Sequence, residues 1–238
     1  MENQSQTKIN IEIDGIIKRA WQLTKKHFPV FLLLIILSQI VSGLPSHTYY
    51  GDLIGEIIRN GGDIDNQQLM ELQVAAYTSG KAIILYIIAI LLGSYIGIVT
   101  LRLLNDVVQG VKPDMTVAFK ESYRNFLFFI GVYWIYVFII ALGMLMCLIP
   151  GIYLAVRYMF VPIIAANRRD VAFSEAFSMS WKMTKSHFWQ LFLFGIVSIG
   201  INIVGFICCC IGILLTSIIT YIMYALLYKE LSKELITD

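Results

Sequence analysis

Apolar residues run along this chain in blocks too continuous for the alternation of a half-buried strand or the narrow stripe of a surface helix. The stretches bounded by charges or turn residues are 29–44, 82–101, 127–149, 151–166, 188–210 and 211–228. The hydrocarbon core of a bilayer demands about 20 apolar residues of helix, and several of these segments approach that length. Between Lys81 and Arg102 there is no charge at all, which lipid explains better than a buried soluble helix does. The pattern predicts an all-α integral membrane protein with six transmembrane helices. No polar block is large enough for its own core, so residues 1–238 read as a single polytopic membrane domain.

Polar positions set the expected topology. Lys8, Lys18, Arg19, Lys25 and Lys26 precede the first segment, and Arg102, Lys112, Lys120 and Arg124 lie between the second and third. Arg168, Arg169, Lys182 and Lys185 separate the fourth from the fifth, and Lys229 and Lys233 follow the last. The opposite side carries only Arg59 and Lys81. Short cytoplasmic loops retain Lys and Arg, so both termini are expected in the cytoplasm, and an even number of spans follows. Outside, an external loop over 45–80 divides at Gly61-Gly62 into two short helical stretches, and tight turns are expected at Ile149-Pro150-Gly151 and Cys210-Ile211-Gly212.

Periodicity returns in the polar connections. Positions 13, 16, 17, 20 and 21 place apolar or small side chains on one helical face, as do 173, 176, 177, 180 and 181. A shift of 160 residues superimposes these two segments, pairing Trp21, Thr24, Lys25, His27 and Phe28 with the identical Trp181, Thr184, Lys185, His187 and Phe188. A degraded third copy starts near Asp114, where Val117-Ala118-Phe119 resembles Val171-Ala172-Phe173. The expected architecture is therefore three hairpin repeats, each preceded by an amphipathic interfacial helix: a cytoplasmic helix within 1–28, then cytoplasmic amphipathic segments at 105–125 and 167–187. Trp21, Lys25, His27, Trp181, Lys185 and His187 would serve as interfacial anchors.

Composition sharpens the class. The chain has 58% hydrophobic and 14% charged residues, and its mean hydropathy is +0.74; soluble domains carry about 25% charged residues. The net charge of +2 conceals the sidedness of the basic residues. The first 28 residues contain Glu2, Glu12 and Asp14, unlike the short basic start of a cleaved signal peptide, so the first apolar segment is expected to stay in the mature protein.

Arg157 is the one clear charge inside an expected span. An intramembrane charge is a functional hypothesis by default, and no Asp or Glu lies within a span to neutralise it. Two readings stand: an anion or lipid-phosphate site, or a packing and snorkelling arginine. Tyr153 shares its face one turn earlier. Ser198 with Asn202, and Thr216 with Thr220, complete a candidate polar intramembrane site, although interhelical hydrogen bonding explains such pairs adequately. Pro162 is placed to kink the fourth span. Ala89, Gly93 and Gly97 at four-residue spacing suit close helix approach. His27, His47 and His187 are too scattered for a metal site. Cys147 and Cys208 to Cys210 read as a disulfide or as small apolar filler. No catalytic residue, cofactor or metal site is expected, since no HExxH, phosphate-binding glycine loop or serine elbow occurs.

The run Ile149-Pro150-Gly151-Ile152-Tyr153 to Arg157-Tyr158, followed by Ala172 through Ser180-Trp181-Lys182, resembles YciC-like bacterial integral membrane proteins. It is also similar to the membrane domain of glycerophosphodiester phosphodiesterases, whose soluble barrel has no counterpart in this chain. The resemblance implies a six-helix protein of the bacterial cytoplasmic (inner) membrane. Two function classes follow. One is a non-enzymatic membrane protein that organises lipid or membrane partners, with the bilayer, anionic lipids, a membrane-protein partner or a homo-oligomer as partners and no nucleic acid. The other is a transporter or lipid-handling protein with a midplane polar site around Arg157.

Overall fold

The computed structural model describes residues 12–59, 66–168, 171–207 and 209–237. Every regular element among them is a helix: α1 (Ile13–Arg59), α2 (Asn66–Thr78), α3 (Gly80–Gln109), α4 (Met115–Arg124), α5 (Phe126–Met146), α6 (Leu148–Arg157), α7 (Val161–Asn167), α8 (Phe173–Lys185), α9 (Phe188–Ile207) and α10 (Cys209–Thr237). Six stretches are long and apolar enough to cross a bilayer: Ile13–Pro45, Gly80–Gln109, Phe126–Met146, Leu148–Asn167, Phe188–Ile207 and Gly212–Lys233. The chain is thus built as a multi-pass membrane protein. Its large apolar side chains point outward in numbers no aqueous surface would tolerate, with Leu145 and Met146 each 82% exposed and Phe206 and Ile207 each 74%.

The chain divides into two compact units, residues 33–97 and the remainder. The first comprises the greater part of α1, all of α2 and the start of α3. Here α1 continues as helix through Pro45 to Arg59, so the helical stretch expected before Gly61-Gly62 follows the span without a break at Pro45. It is equally continuous from the amphipathic segment into the span, across Pro29. Proline removes one donor, and membrane helices tolerate it where neighbouring groups re-satisfy the freed carbonyl. Gly61-Gly62 and the side chain of His47 lie outside the described residues. Among the described residues, a Cβ added to Gly93 or Gly97 would meet no heavy atom within 4 Å.

In the second unit α5 packs along α6 and α7, and α9 along α10, as two hairpins. Helix α8 touches α5, α6, α7, α9 and α10 and ties the hairpins together. Its buried face is Ala176, Ser180, Met183 and Thr184. The corresponding positions in α1, Ile16, Ala20 and Thr24, are buried too, and Thr24 Oγ1 donates to the Ala20 carbonyl as Thr184 Oγ1 does to that of Ser180. One difference separates them: α8 and α9 are distinct helices broken at Ser186–His187, whereas the equivalent residues of α1 remain helical.

Between lipid-facing helices there is no hydrophobic driving force, so close van der Waals approach must supply cohesion. A Cβ on Gly143 of α5 would stand 3.1 Å from the Gly151 Cα of α6, and one on Gly205 of α9 would stand 2.9 Å from the Gly212 carbonyl oxygen of α10. Only glycine permits those backbones to lie so near. The turn between α5 and α6 falls at Cys147, with extended φ −168° and ψ 152°, and Ile149-Pro150-Gly151 belongs to the helix. Proline is accepted in a first turn because its missing N–H has no helical partner there. Cys210-Ile211-Gly212 is likewise helical, within α10. Cys147 is exposed and a free thiol; the side chains of Cys208 to Cys210 lie outside the described residues.

Candidate functional site

The fourth span is interrupted between α6 and α7, at Tyr158 to Phe160. Pro162 opens α7, and its missing N–H leaves the Tyr158 carbonyl without the usual donor. The Val161 N–H bonds to Tyr158 instead, at 3.0 Å, so it is not available to the Arg157 carbonyl. At membrane depth such groups must find partners inside the protein. Helix α8 provides them: Ser180 Oγ donates to the Arg157 carbonyl at 2.9 Å, and Thr184 Oγ1, whose one proton is shared with the Ser180 carbonyl at 2.9 Å, stands 3.1 Å from that of Arg157. The Tyr224 hydroxyl of α10 donates to the Met159 carbonyl.

The side chain of Arg157 is held at the same place. Its Nε donates to the Tyr153 hydroxyl at 3.0 Å. Its guanidinium carbon lies 4.7 Å from the Trp181 ring centre, 5.1 Å from that of Tyr153 and 5.5 Å from that of Phe188. Arg157 is 9% exposed, and among the described residues its Nη1 has no hydrogen-bond partner. The negative faces of three rings take the place of an acceptor, an arrangement worth about 2 kcal/mol where the cation is desolvated. Trp181 also meets Tyr158 and Tyr153 edge-on or tilted, so the rings brace one another as well as the cation.

The remaining intramembrane candidates form a separate group. Asn202 Nδ2 donates to the Ser198 carbonyl at 2.8 Å and to Thr220 Oγ1 at 3.0 Å. Thr220 Oγ1 donates onward to the Thr216 carbonyl at 2.9 Å. This ladder joins α9 to α10, and among the described residues no hydrogen bond connects it to Arg157 or Tyr153. The interfacial anchors also diverge. Trp21 is exposed, with Lys25 Nζ 4.9 Å from its ring centre, whereas Trp181 is a wall of the Arg157 cage. His27 is half-buried and Lys185 exposed, while His187 is buried.

No family model matches this sequence, and neither a curated protein nor a solved structure matches it.

A feature that sequence reasoning missed lies where α3 ends. A cavity of about 630 Å³ is lined by Arg102, Asn105 and Asp106 of α3, Glu121 of α4, and Asn167 and Arg168 at the end of α7. The signal was present as Arg102, Asn105 and Asp106, spaced three and four apart on one helical face directly after the charge-free run. Arg102 Nη1 approaches Glu121 Oε2 to 3.8 Å. Among the described residues no group of three or more His, Cys, Asp or Glu is disposed to hold a metal ion.

Proposed function

We propose that this chain is a non-enzymatic protein of the bacterial inner membrane that organises lipid or membrane partners at the cytoplasmic leaflet. Both termini are then cytoplasmic, and three related hairpins each follow an amphipathic segment, in keeping with the resemblance to YciC-like proteins. The observation that carries this reading is the outward face of α4. Asp114 caps that helix, its carboxylate accepting from the Thr116 and Val117 N–H groups at 2.9 and 3.2 Å. Ala118 and Ser122 face inward. Val117, Lys120, Tyr123 and Arg124 face outward, and Leu127 continues the same face into α5, with Tyr123 76% and Leu127 84% exposed. Large apolar groups beside lysine and arginine suit the layer where acyl chains meet anionic head groups. Each basic residue near an anionic surface is worth about 1 kcal/mol. Lys182 and Lys185 on α8 are exposed and add to the same charge.

A transporter centred on Arg157 would require that residue to share a cavity with Asn202 or Thr220. The aromatic enclosure of Arg157 and its separation from the Asn202 ladder favour the structural role for this arginine. The test is lipid retention: the protein in nanodiscs of phosphatidylglycerol and phosphatidylcholine, ejected into a native mass spectrometer. The expected result is that Lys120→Glu with Arg124→Glu lowers retained phosphatidylglycerol by about thirtyfold or more, as loss of two such attractions predicts. Unchanged retention would overturn the reading.

A further inference from the structure

The tyrosines of the membrane spans divide into two sets. The Tyr153 hydroxyl accepts from Arg157, that of Tyr224 donates to the Met159 carbonyl, and that of Tyr228 accepts from Arg168. Among the described residues the hydroxyls of Tyr133 and Tyr136 on α5 and of Tyr221 on α10 have no hydrogen-bond partner. These three lie near one another. The Tyr133 and Tyr136 ring centres are 6.2 Å apart, and the Tyr133 and Tyr221 hydroxyls are within electrostatic reach of each other.

Their depth makes the missing partners costly. Tyr136 is the eleventh of the 21 residues in the span Phe126–Met146, and Tyr221 the tenth of the 22 in Gly212–Lys233. At 1.5 Å per residue each stands roughly 15 Å from either end of its span, near the middle of the hydrocarbon and well inside the interfacial belt where tyrosines meet water and head groups. A polar group there must be satisfied within the protein or by something bound to it. Tyr133 and Tyr221 are open to the bilayer, at 37% and 48% exposure.

The chemistry of the surroundings narrows what could bind. No charged residue occurs in 126–146 of α5 or in 209–228 of α10, so a charged ligand would find no counter-charge on either helix. The neighbouring rings lie flat against one another: Phe129 stacks on Tyr133 at 5.7 Å with planes 10° apart, and Phe160 on Tyr224 at 5.5 Å and 27°. Walls of this kind favour a flat ring. Two donors, one on each helix, call for two neutral acceptors. A quinone has both, with a carbonyl on opposite edges of an apolar ring and an alkyl tail that can continue among the acyl chains.

We propose that the bilayer-facing surface between Tyr133 of α5 and Tyr221 of α10 binds a lipophilic quinone, each phenol hydroxyl donating to one carbonyl. Such binding needs only that α5 and α10 cross the bilayer, and it is independent of the basic face of α4.

The test uses the full chain in phosphatidylcholine nanodiscs doped with decylubiquinone or, in parallel, with decylbenzene, which has a ring and tail but no carbonyl. Native mass spectrometry reads the ligand retained per chain. Decylubiquinone should be retained about thirtyfold above decylbenzene, at about fivefold for each hydrogen bond. Tyr133→Phe with Tyr221→Phe keeps both rings and should bring decylubiquinone down to the decylbenzene level. Because the double variant deletes only hydroxyls that lack a partner in the protein, its unfolding midpoint without quinone should match that of the unaltered chain. Equal retention of the two compounds, or full retention of decylubiquinone by the folded double variant, overturns the proposal. A double variant that unfolds without quinone would show the hydroxyls to be paired already, which overturns it as well.

Discussion

Ser180 donates its hydroxyl to the backbone carbonyl of Arg157, 23 residues away in sequence, at 2.9 Å. The bond joins an amphipathic helix to a break inside a membrane span, and it exists because Pro162 takes a donor out of that span. Thr184 Oγ1 shares the same carbonyl. With either hydroxyl removed the carbonyl keeps a donor, so Ser180→Ala or Thr184→Val alone should cost under about 1 kcal/mol beyond its packing effect. Removing both leaves a buried carbonyl unpaired, costing about 1–3 kcal/mol more than the sum of the singles. Equilibrium unfolding in mixed detergent micelles measures the difference. Strict additivity would mean that the carbonyl finds another donor.

Arg157 is held through shape as well as charge. Lysine keeps the charge but lacks the planar group that stacks on Trp181 and the Nε that reaches Tyr153. Arg157→Lys should therefore destabilise almost as much as Arg157→Met, by about 2 kcal/mol. Tyr153→Phe, which retains the ring and removes only the acceptor, should cost about 1 kcal/mol. The chain has four tryptophans, so the fluorescence change on Arg157 substitution is read against the same change in a Trp181→Phe background. It should disappear there. A full stability rescue by lysine would contradict the stacking argument.

Much of this arrangement was legible in the chain, and its limits have physical causes. The spans could be read because an uncharged run such as 82–101 has no stable alternative to lipid. Pro162 marked the interruption of the fourth span. Pro150 and Gly151 misled as turn residues, because proline is tolerated in the first helical turn and Gly151 serves close approach, with a Cβ there standing 2.8 Å from the Met144 Cα. The pairing of Arg157 with Tyr153 follows from i, i+4 spacing on one helix. The contribution of Trp181 and Phe188 required tertiary packing that no local period encodes. The same holds for the cavity, whose walls come from α3, α4 and the end of α7.

Two glycines of α9 test the packing account within one helix. A Cβ on Gly205 would lie 2.9 Å from the Gly212 carbonyl oxygen and collide with Thr216, whereas one on Gly200 would meet nothing within 4 Å. Gly205→Ala must push α10 away and should cost about 1–3 kcal/mol. Gly200→Ala should be neutral or stabilising by up to about 1 kcal/mol, because alanine is the better helix former. Comparing the two variants in one unfolding series cancels effects common to α9. Equal destabilisation would show that the hairpin does not depend on the contact at Gly205.

The Asn202 ladder separates structural from functional polarity. Asn202 Nδ2 spans from its own helix, at the Ser198 carbonyl, to Thr220 Oγ1 on α10. Hydrogen bonds between membrane helices contribute about 0.6 kcal/mol on average and seldom exceed about 1.7, because the separated helices also find partners within the bilayer. Asn202→Leu and Thr220→Val should each lie in that range, and the double variant should fall short of their sum by the energy of the shared bond. Thr216→Val leaves the Asn202–Thr220 bond in place, since Thr220 donates to the Thr216 backbone carbonyl and not to its side chain. It should therefore show no coupling to Asn202→Leu. A double-mutant cycle in bicelles distinguishes these cases. Coupling well above about 1.7 kcal/mol at Asn202–Thr220 would indicate that the ladder does more than join two helices.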